Sequence, residues 1–377
     1  MQIQHLEVRN FRNYHHQTLE FDTRVNIFFG DNGQGKTNLL EAIYLLTRGT
    51  SFRPASRETL INARSEWATL AARLHSDPLT HDIKLAITEK NKQFQINGKK
   101  TSAQRIAKTL PSVLFSPESL AVIKEGPESR RQLVDDFLLS ANDDAAATIT
   151  GFHRCLKTRN RLLRDFKKGL YPESVFWRIC ESLNRSYLPL AVALTELRIH
   201  FLRAILPDLR EALNFLFSPQ NVDISVDYVI SSRSALAWGT EEIAKSLSLR
   251  LREMTKSEIE SGMSLVGPHK HDIRFLFAGE DARYYCSQGQ QRSLILSVKM
   301  AQIMYHQRVH RVLPVLLLDD VLSELDADKR AHLVAFLKRI KPQIFLTSTE
   351  LSFPHDFGDK EVSAFKIEKG SVARQER

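Results

Sequence analysis

Gly30, Asp31, Asn32, Gly33, Gln34, Gly35, Lys36 and Thr37 fill every position of the pattern G-x-x-x-x-G-K-[ST], within the stretch VNIFFGDNGQGKTNLLEAIYLL from Val25 to Leu46. Each residue type has a task at a phosphate. Glycines let successive backbone N–H groups turn inward around an anion, a lysine ammonium neutralises β- and γ-phosphate charge, and a threonine hydroxyl is a ligand for Mg2+. With Asn38 on the turn beyond, Gly30 to Asn38 are the candidate nucleotide-binding residues. The flanks support the pattern: VNIFF is an apolar run, interrupted only by Asn26, suited to a buried strand, and helical spacing starts at Lys36 and runs to about Leu46.

A bound metal needs a carboxylate, and PVLLLDDVLSELD (Pro314 to Asp326) supplies one. Val315 to Leu318 predict a buried strand whose C-terminal end delivers Asp319, the expected second ligand of Mg2+ beside Thr37. Asp320 is placed to orient or deprotonate an attacking water, which makes Lys36 and Asp320 the candidate catalytic pair. Lysine and carboxylate lie 319 − 36 = 283 positions apart, so the chain must leave the core and return to it. A third piece, Ser287-Gln288-Gly289-Gln290, opens an amphipathic helix. Its serine and exposed N–H groups suit either an anion site or an ordinary N-cap.

The elements that would position these groups divide into three blocks. Residues 1–125 read as strands around one helix: IQHLEV and QTLEFD alternate, HDIKLAI and KQFQI form a hairpin, and Ser116-Pro117 begin a helix. Residues 126–265 are predominantly helical, dense in Leu, Ala, Arg and Glu, with a strand at NVDISVDYVI and a polar helix near Thr240 to Ser261. From residue 266 to 377 strands and helices alternate again, around the Ser287 and Asp319 segments. The expected fold is α/β with an inserted helical lobe.

Composition is that of a folded chain, 42% hydrophobic and 26% charged over 377 residues. A net charge of +9 favours polyanionic partners. Three scattered cysteines suggest neither disulfide framework nor zinc site, and no apolar run approaches the length of a membrane span, so a cytoplasmic protein without a membrane partner is expected. RNRLLRDFKK carries Arg159, Arg161, Arg164, Lys167 and Lys168 on a predicted helix, and NGKKTSAQRIAK groups Lys99 and Lys100 with Arg105 and Lys108. Either cluster is a candidate DNA contact or a solvated face.

Together the three motifs resemble the heads of ABC-type ATPases: Walker A turn, signature ahead of a helix, and Walker B strand with a following D-loop, here Ser323 to Asp326. The resemblance implies ATP bound between two copies, with Ser287, Gln288, Gly289 and Gln290 of one copy acting in trans on the nucleotide of the other. LEVRNFRNY, SFRPASRE, LFSPESLAVIKEGPESRRQLVD, LKTRNRLL, GPHKHD, SQGQQRSLILSVKMA and LLLDDVLSELD narrow it further to the RecF family, in order and over nearly the whole chain. That family resemblance implies a P-loop NTPase of SMC-head-like type, a weak DNA-stimulated ATPase, that dimerises with ATP on double-stranded and gapped DNA. It also implies work with RecR and RecO in loading RecA during repair, replication restart and the SOS response.

This chain departs from the family pattern at GPHKHD, where Lys270 and His271 replace an arginine and an acid. Asp320 stands where transporter ATPases carry a longer glutamate, and Thr347 stands in place of a switch histidine as the expected γ-phosphate sensor. Both suit slow hydrolysis. The competing reading is another ABC-type head, SMC-like or nuclease-associated. The inserted block is short for SMC arms and has no CxxC for a zinc hook.

Overall fold

The computed structural model describes residues 2–76, 79–120, 122–141, 143–217, 223–349, 357 and 361–375. The chain forms two compact units: Met1–Leu120 with Arg292–Arg377, and Ala121–Gln291.

The first unit contains two six-stranded sheets. One is antiparallel and runs in the order Tyr14–Glu20, Gln2–Phe11, Trp67–Ser76, Leu79–Thr88, Lys92–Ile96, Lys99–Thr101. The other runs Ser371–Gln375, Val362–Glu368, Val25–Phe29, Ile344–Ser348, Val315–Leu318, Ser112–Phe115, and is parallel except for its outer strand Ser371–Gln375. The parallel strands Val25–Phe29, Ile344–Ser348 and Val315–Leu318, and the edge strand Ser112–Phe115, are buried at every residue, as largely apolar strands are when both faces of a sheet are covered.

Helix Lys36–Arg48 fills the space between the sheets. Its Leu39, Leu40, Ala42, Ile43, Leu45 and Leu46 share one core with Leu70, Leu85 and Ile87 of the antiparallel sheet and with Leu317 and Phe345 of the parallel one. Phe21, Phe28, Phe345 and Phe365 pack edge-on and tilted at the heart of it, Phe21 and Phe345 with centroids 4.8 Å apart. The helix ends on Gly49, whose N–H bonds to Leu45 O.

The second unit packs helices Pro127–Ala141, Asp143–Lys167, Glu173–Phe217 and Thr240–Ser261 with a four-stranded sheet, Arg233–Ser234, Ile224–Ile230, Asp272–Phe277, Glu280–Asp281. Helix Glu173–Phe217 runs 45 residues through Pro189 and Pro207. Three buried arginines knit the unit: Arg130 to Asp272 at 2.8 Å, Arg159 to Glu258 at 2.6 Å, and Arg198 to both carboxylate oxygens of Asp135 at 2.8 and 2.7 Å.

The hairpin, the helix beginning at Pro117 and the polar helix Thr240–Ser261 match the sequence-based expectations. The first residues of the expected strand, Asn221 and Val222, lie outside the described residues. Return to the core was expected at residue 266, whereas residues 266–291 cluster with the second unit. The reason is strand pairing: Asp272–Phe277 hydrogen-bonds along Ile224–Ile230, with Ile273 opposite Tyr228.

Candidate nucleotide site

The site grows from the end of strand Val25–Phe29. Gly30 leaves it at φ 144 and Gly35 enters the helix at φ 116, a region closed to most L side chains. A Cβ on Gly30 would lie 2.5 Å from Ile367 O, and one on Gly35 would lie 2.5 Å from Asn13 Nδ2 and 2.9 Å from the Tyr14 hydroxyl. Both glycines are therefore fixed by crowding as well as by dihedral. The turn is braced from outside: Asn13 Nδ2 donates to Gln34 O at 3.0 Å, the Tyr14 hydroxyl donates to Gly35 O at 2.9 Å, and Gln34 Oε1 accepts from Lys369 N at 2.7 Å.

Lys36 is buried, and its ammonium donates to Gly30 O at 2.7 Å and Asp31 O at 2.9 Å, closing the loop across its own mouth. Thr37 Oγ1 donates to Asp319 Oδ1 at 2.9 Å, which joins the two motifs that stand 283 positions apart from lysine to carboxylate in sequence. The register makes this contact. Leu318 pairs with Leu346 on one side and Phe115 on the other, and Asp319 N donates to Phe115 O at 2.9 Å, so the carboxylate emerges at the C-terminal edge beside the loop.

Asp319 is 7% exposed. Burial raises its carboxyl above the ordinary range, with the negative charges of Asp320 and Glu118 adding to the effect and hydroxyl bonds from Thr347 and Thr37 opposing it. Among the described residues it has no cationic partner. A buried carboxylate and a hydroxyl, both hard oxygen donors, fit Mg2+, which takes few protein ligands and completes its shell with phosphate and water.

Asp320 sits at φ 50, and its N–H donates to Thr347 Oγ1 at 2.9 Å. Thr347, 4% exposed, donates its own hydroxyl proton to Asp319 Oδ1 at 2.9 Å. The sequence assigns Thr347 to sensing a γ-phosphate; in this structure its only proton is engaged by the carboxylate, and the residue braces the Asp pair. The following turn is closed by Ser323 Oγ donating to Asp320 O at 2.6 Å, and Asp326 Oδ1 caps helix Ala327–Ile340 through Lys329 N at 2.9 Å.

In the second unit, Ser287 and Gln290 form a reciprocal cap: Ser287 Oγ accepts from Gln290 N at 3.2 Å and Gln290 Oε1 accepts from Ser287 N at 2.8 Å. Ser287, Gln288 and Gly289 are exposed. The N-cap geometry is thus realised, and it leaves the serine proton and the helix start facing solvent. Buried Gln291 locks the segment by donating Nε2 to Ala282 O at 3.0 Å and to Arg283 O and Cys286 O at 3.2 Å.

Arg159 is corrected by the structure. It is 3% exposed and bound to Glu258, Ser264 and Asn184, so it faces the interior and has no surface to offer DNA. Arg161, Arg164, Lys99 and Lys100 are exposed. His271 is likewise interior, 3.0 Å from the Tyr228 hydroxyl through Nδ1, with burial holding its pKa well below the usual value.

Sequence reading missed the network behind the loop helix. Glu41, fully buried, takes Arg12 on both oxygens at 2.7 and 3.0 Å and also binds Arg53 and Ser51. Burial works to raise its pKa, but these bonds prevail and hold it below the ordinary value. Arg53 continues to Asn38 Oδ1 at 2.6 Å, and Asn38 Nδ2 donates to Asn13 Oδ1 at 2.8 Å, so the Asn38 side chain braces the loop from behind. The available signal was a lone acid inside NLLEAIYLL, an apolar run that demands a cation for it.

A glycine loop between a buried parallel strand and a helix, facing a Walker B carboxylate, defines a P-loop ATPase of the ABC type with an SMC-like head. Residues 2–372 match the family model described as RecF/RecN/SMC N terminal domain. The chain is 33% identical to the DNA replication and repair protein RecF of Lactobacillus acidophilus over 384 residues, and 35% identical to that of Heliobacterium modesticaldum over 381, with 99% of each chain covered in both. The chain belongs to the RecF family. Among solved structures it is similar to that of the recombination mediator protein RecF-ATPrS in RecFOR pathway, with a TM-score of 0.88 at 30% identity, covering 100% of this chain and 98% of the other. An Smc head from Pyrococcus furiosus, at TM-score 0.53 and 16% identity over 99% and 95%, shares the fold. Among the described residues no helix is long and apolar enough to cross a membrane.

Proposed function

We propose that this chain is an ATP-driven DNA clamp of recombinational repair and replication restart. Two copies close with ATP on duplex or gapped DNA, and slow, DNA-stimulated hydrolysis releases them. In this reading it acts in the cytoplasm with RecR and RecO to place RecA on single-strand gaps. The observation that carries it is the 2.9 Å bond from Thr37 to Asp319 beneath a loop whose lysine already lies across the phosphate position. The identity to RecF proteins over the whole chain supports the repair setting.

On ATP arrival Lys36 would exchange the Gly30 and Asp31 carbonyls for β- and γ-phosphate oxygens. Thr37 and Asp319 would hold Mg2+, which when bound neutralises charge on those phosphates. Asp320, held by Thr347 and Ser323 through its backbone, would orient the water and take its proton. Ser287 of the second copy would donate its solvent-facing hydroxyl to the γ-phosphate, and the helix start at Gln288 and Gly289 would add its positive end.

Asp320→Asn is expected to bind ATP as wild type and to hydrolyse it about 100-fold more slowly, since amide replaces base. Single-turnover assays with radiolabelled ATP measure this. Unchanged turnover would move the base elsewhere.

Ser287→Arg tests the shared site. Light scattering with ATP, Mg2+ and a gapped duplex should show wild-type mass doubling while the variant, still binding ATP, stays a monomer. An ATP-bound dimer of the variant would refute a signature acting in trans.

A further inference from the structure

Helix Asp143–Lys167 carries a one-sided charge pattern. At about 100° per residue, Arg154, Lys157, Arg161, Arg164 and Lys168 fall within an arc of about 80°; Lys168 extends the helix through its N–H bond to Arg164 O at 3.1 Å. All five are exposed, and the opposite side holds buried Phe152, Arg159 and Leu163. The carboxylate at the border, Asp165, lies 3.6 Å from Arg161. Arg154, Lys157, Arg164 and Lys168 have no carboxylate partner among the described residues.

Each neighbouring pair in the row is a like-charge pair at three- or four-residue spacing, which destabilises a helix standing alone in water. The polar helix Thr240–Ser261 of the same unit mixes its signs, with Glu241, Glu242, Lys245 and Lys256 on it and Arg250 paired to Glu253 at 2.9 Å. One member of the row is also held in place. A Cβ on Gly262, the residue that ends the polar helix, would lie 3.5 Å from Arg164 Cγ, so this stem rests on bare backbone while its residue stays exposed.

We propose that this row is the surface on which the chain receives the phosphate backbone of duplex DNA, an inference that rests on the DNA-binding reading above. From Arg154 to Lys168 the row spans about 21 Å, the length of roughly six base pairs. The arc contains no aromatic residue on which unpaired bases could stack, which favours duplex over single strand, and contacts confined to phosphate carry no sequence preference.

The test replaces Arg154, Lys157, Arg164 and Lys168 together by glutamine and measures ATP-dependent duplex binding by fluorescence anisotropy over a salt series. Affinity near physiological salt should fall about 100-fold or more, and the slope of log K against log salt should become shallower by about four. ATP binding should stay unchanged. A control of equal charge change, Lys245, Arg250, Arg252 and Lys256 to glutamine, should keep the wild-type slope.

Equal weakening in both variants would reduce the effect to net charge and overturn the proposal. Wild-type affinity and slope in the first variant, with duplex still bound, would overturn it while leaving the DNA-binding reading standing. Failure of the wild-type protein to bind duplex with ATP at any salt would overturn both.

Discussion

Lys36→Ala is expected to lose nucleotide affinity by about 2–5 kcal/mol, roughly 30- to several-thousand-fold in Kd, because truncating one partner of a buried charge pair leaves the other unpaired. The ammonium stands 2.7 Å from Gly30 O and 2.9 Å from Asp31 O, the place a triphosphate would occupy. Alanine keeps the loop's inward N–H groups and removes the compensating charge. The braces from Asn13, Tyr14 and Lys369 do not involve the Lys36 side chain, so the fold should survive. Calorimetric titration with ATP and Mg2+ gives the affinity, and the thermal midpoint checks folding. Wild-type affinity in a folded variant would mean that nucleotide is held elsewhere.

Arg159→Ala should cost about 3–5 kcal/mol of stability, the range for removing one member of a buried ion pair. The guanidinium donates to Glu258, Ser264 and Asn184 and lies 5.1 Å from the Tyr187 ring centre. Its removal strands Glu258, itself 1% exposed, although Leu265 N still donates to that carboxylate. Combining Arg159→Met with Glu258→Gln should recover part of the loss by removing the orphaned charge. Urea unfolding followed by circular dichroism reads both. A single variant within about 1 kcal/mol of wild type would contradict this account of Arg159, and would return the residue to the list of surface cations.

Arg159 also shows where sequence reading fails. Arg159, Arg161 and Arg164 are alike as letters, and only the facing residues, Asn184 at 25 positions and Glu258 at 99 positions along the chain, place the first inside and leave the others in water. Walker motifs are legible because their chemistry is local: glycine dihedrals, a lysine and an apolar strand lie within one short segment. Thr347 is local too, but the direction of its hydroxyl depends on the Asp319 strand beside it. The long helix through Pro189 and Pro207 was legible by composition alone, since each proline taken singly predicts a break. The place of return to the core depended on strand pairing between residues 224–230 and 272–277, which composition does not encode.

The strand that launches the glycine loop lies between Ile344–Ser348 and Val362–Glu368, both supplied by the far end of the chain. On the ribosome, therefore, VNIFF emerges without either neighbour. From Phe29 to Ile344 there are 344 − 29 = 315 further residues to polymerise, roughly 15–60 s at about 5–20 residues per second. Until then the four apolar residues of this strand, Val25, Ile27, Phe28 and Phe29, are without the two strands that flank them. A chain interrupted before residue 344 would lack both strands that flank VNIFF, and so could not complete the sheet from which the glycine loop leaves.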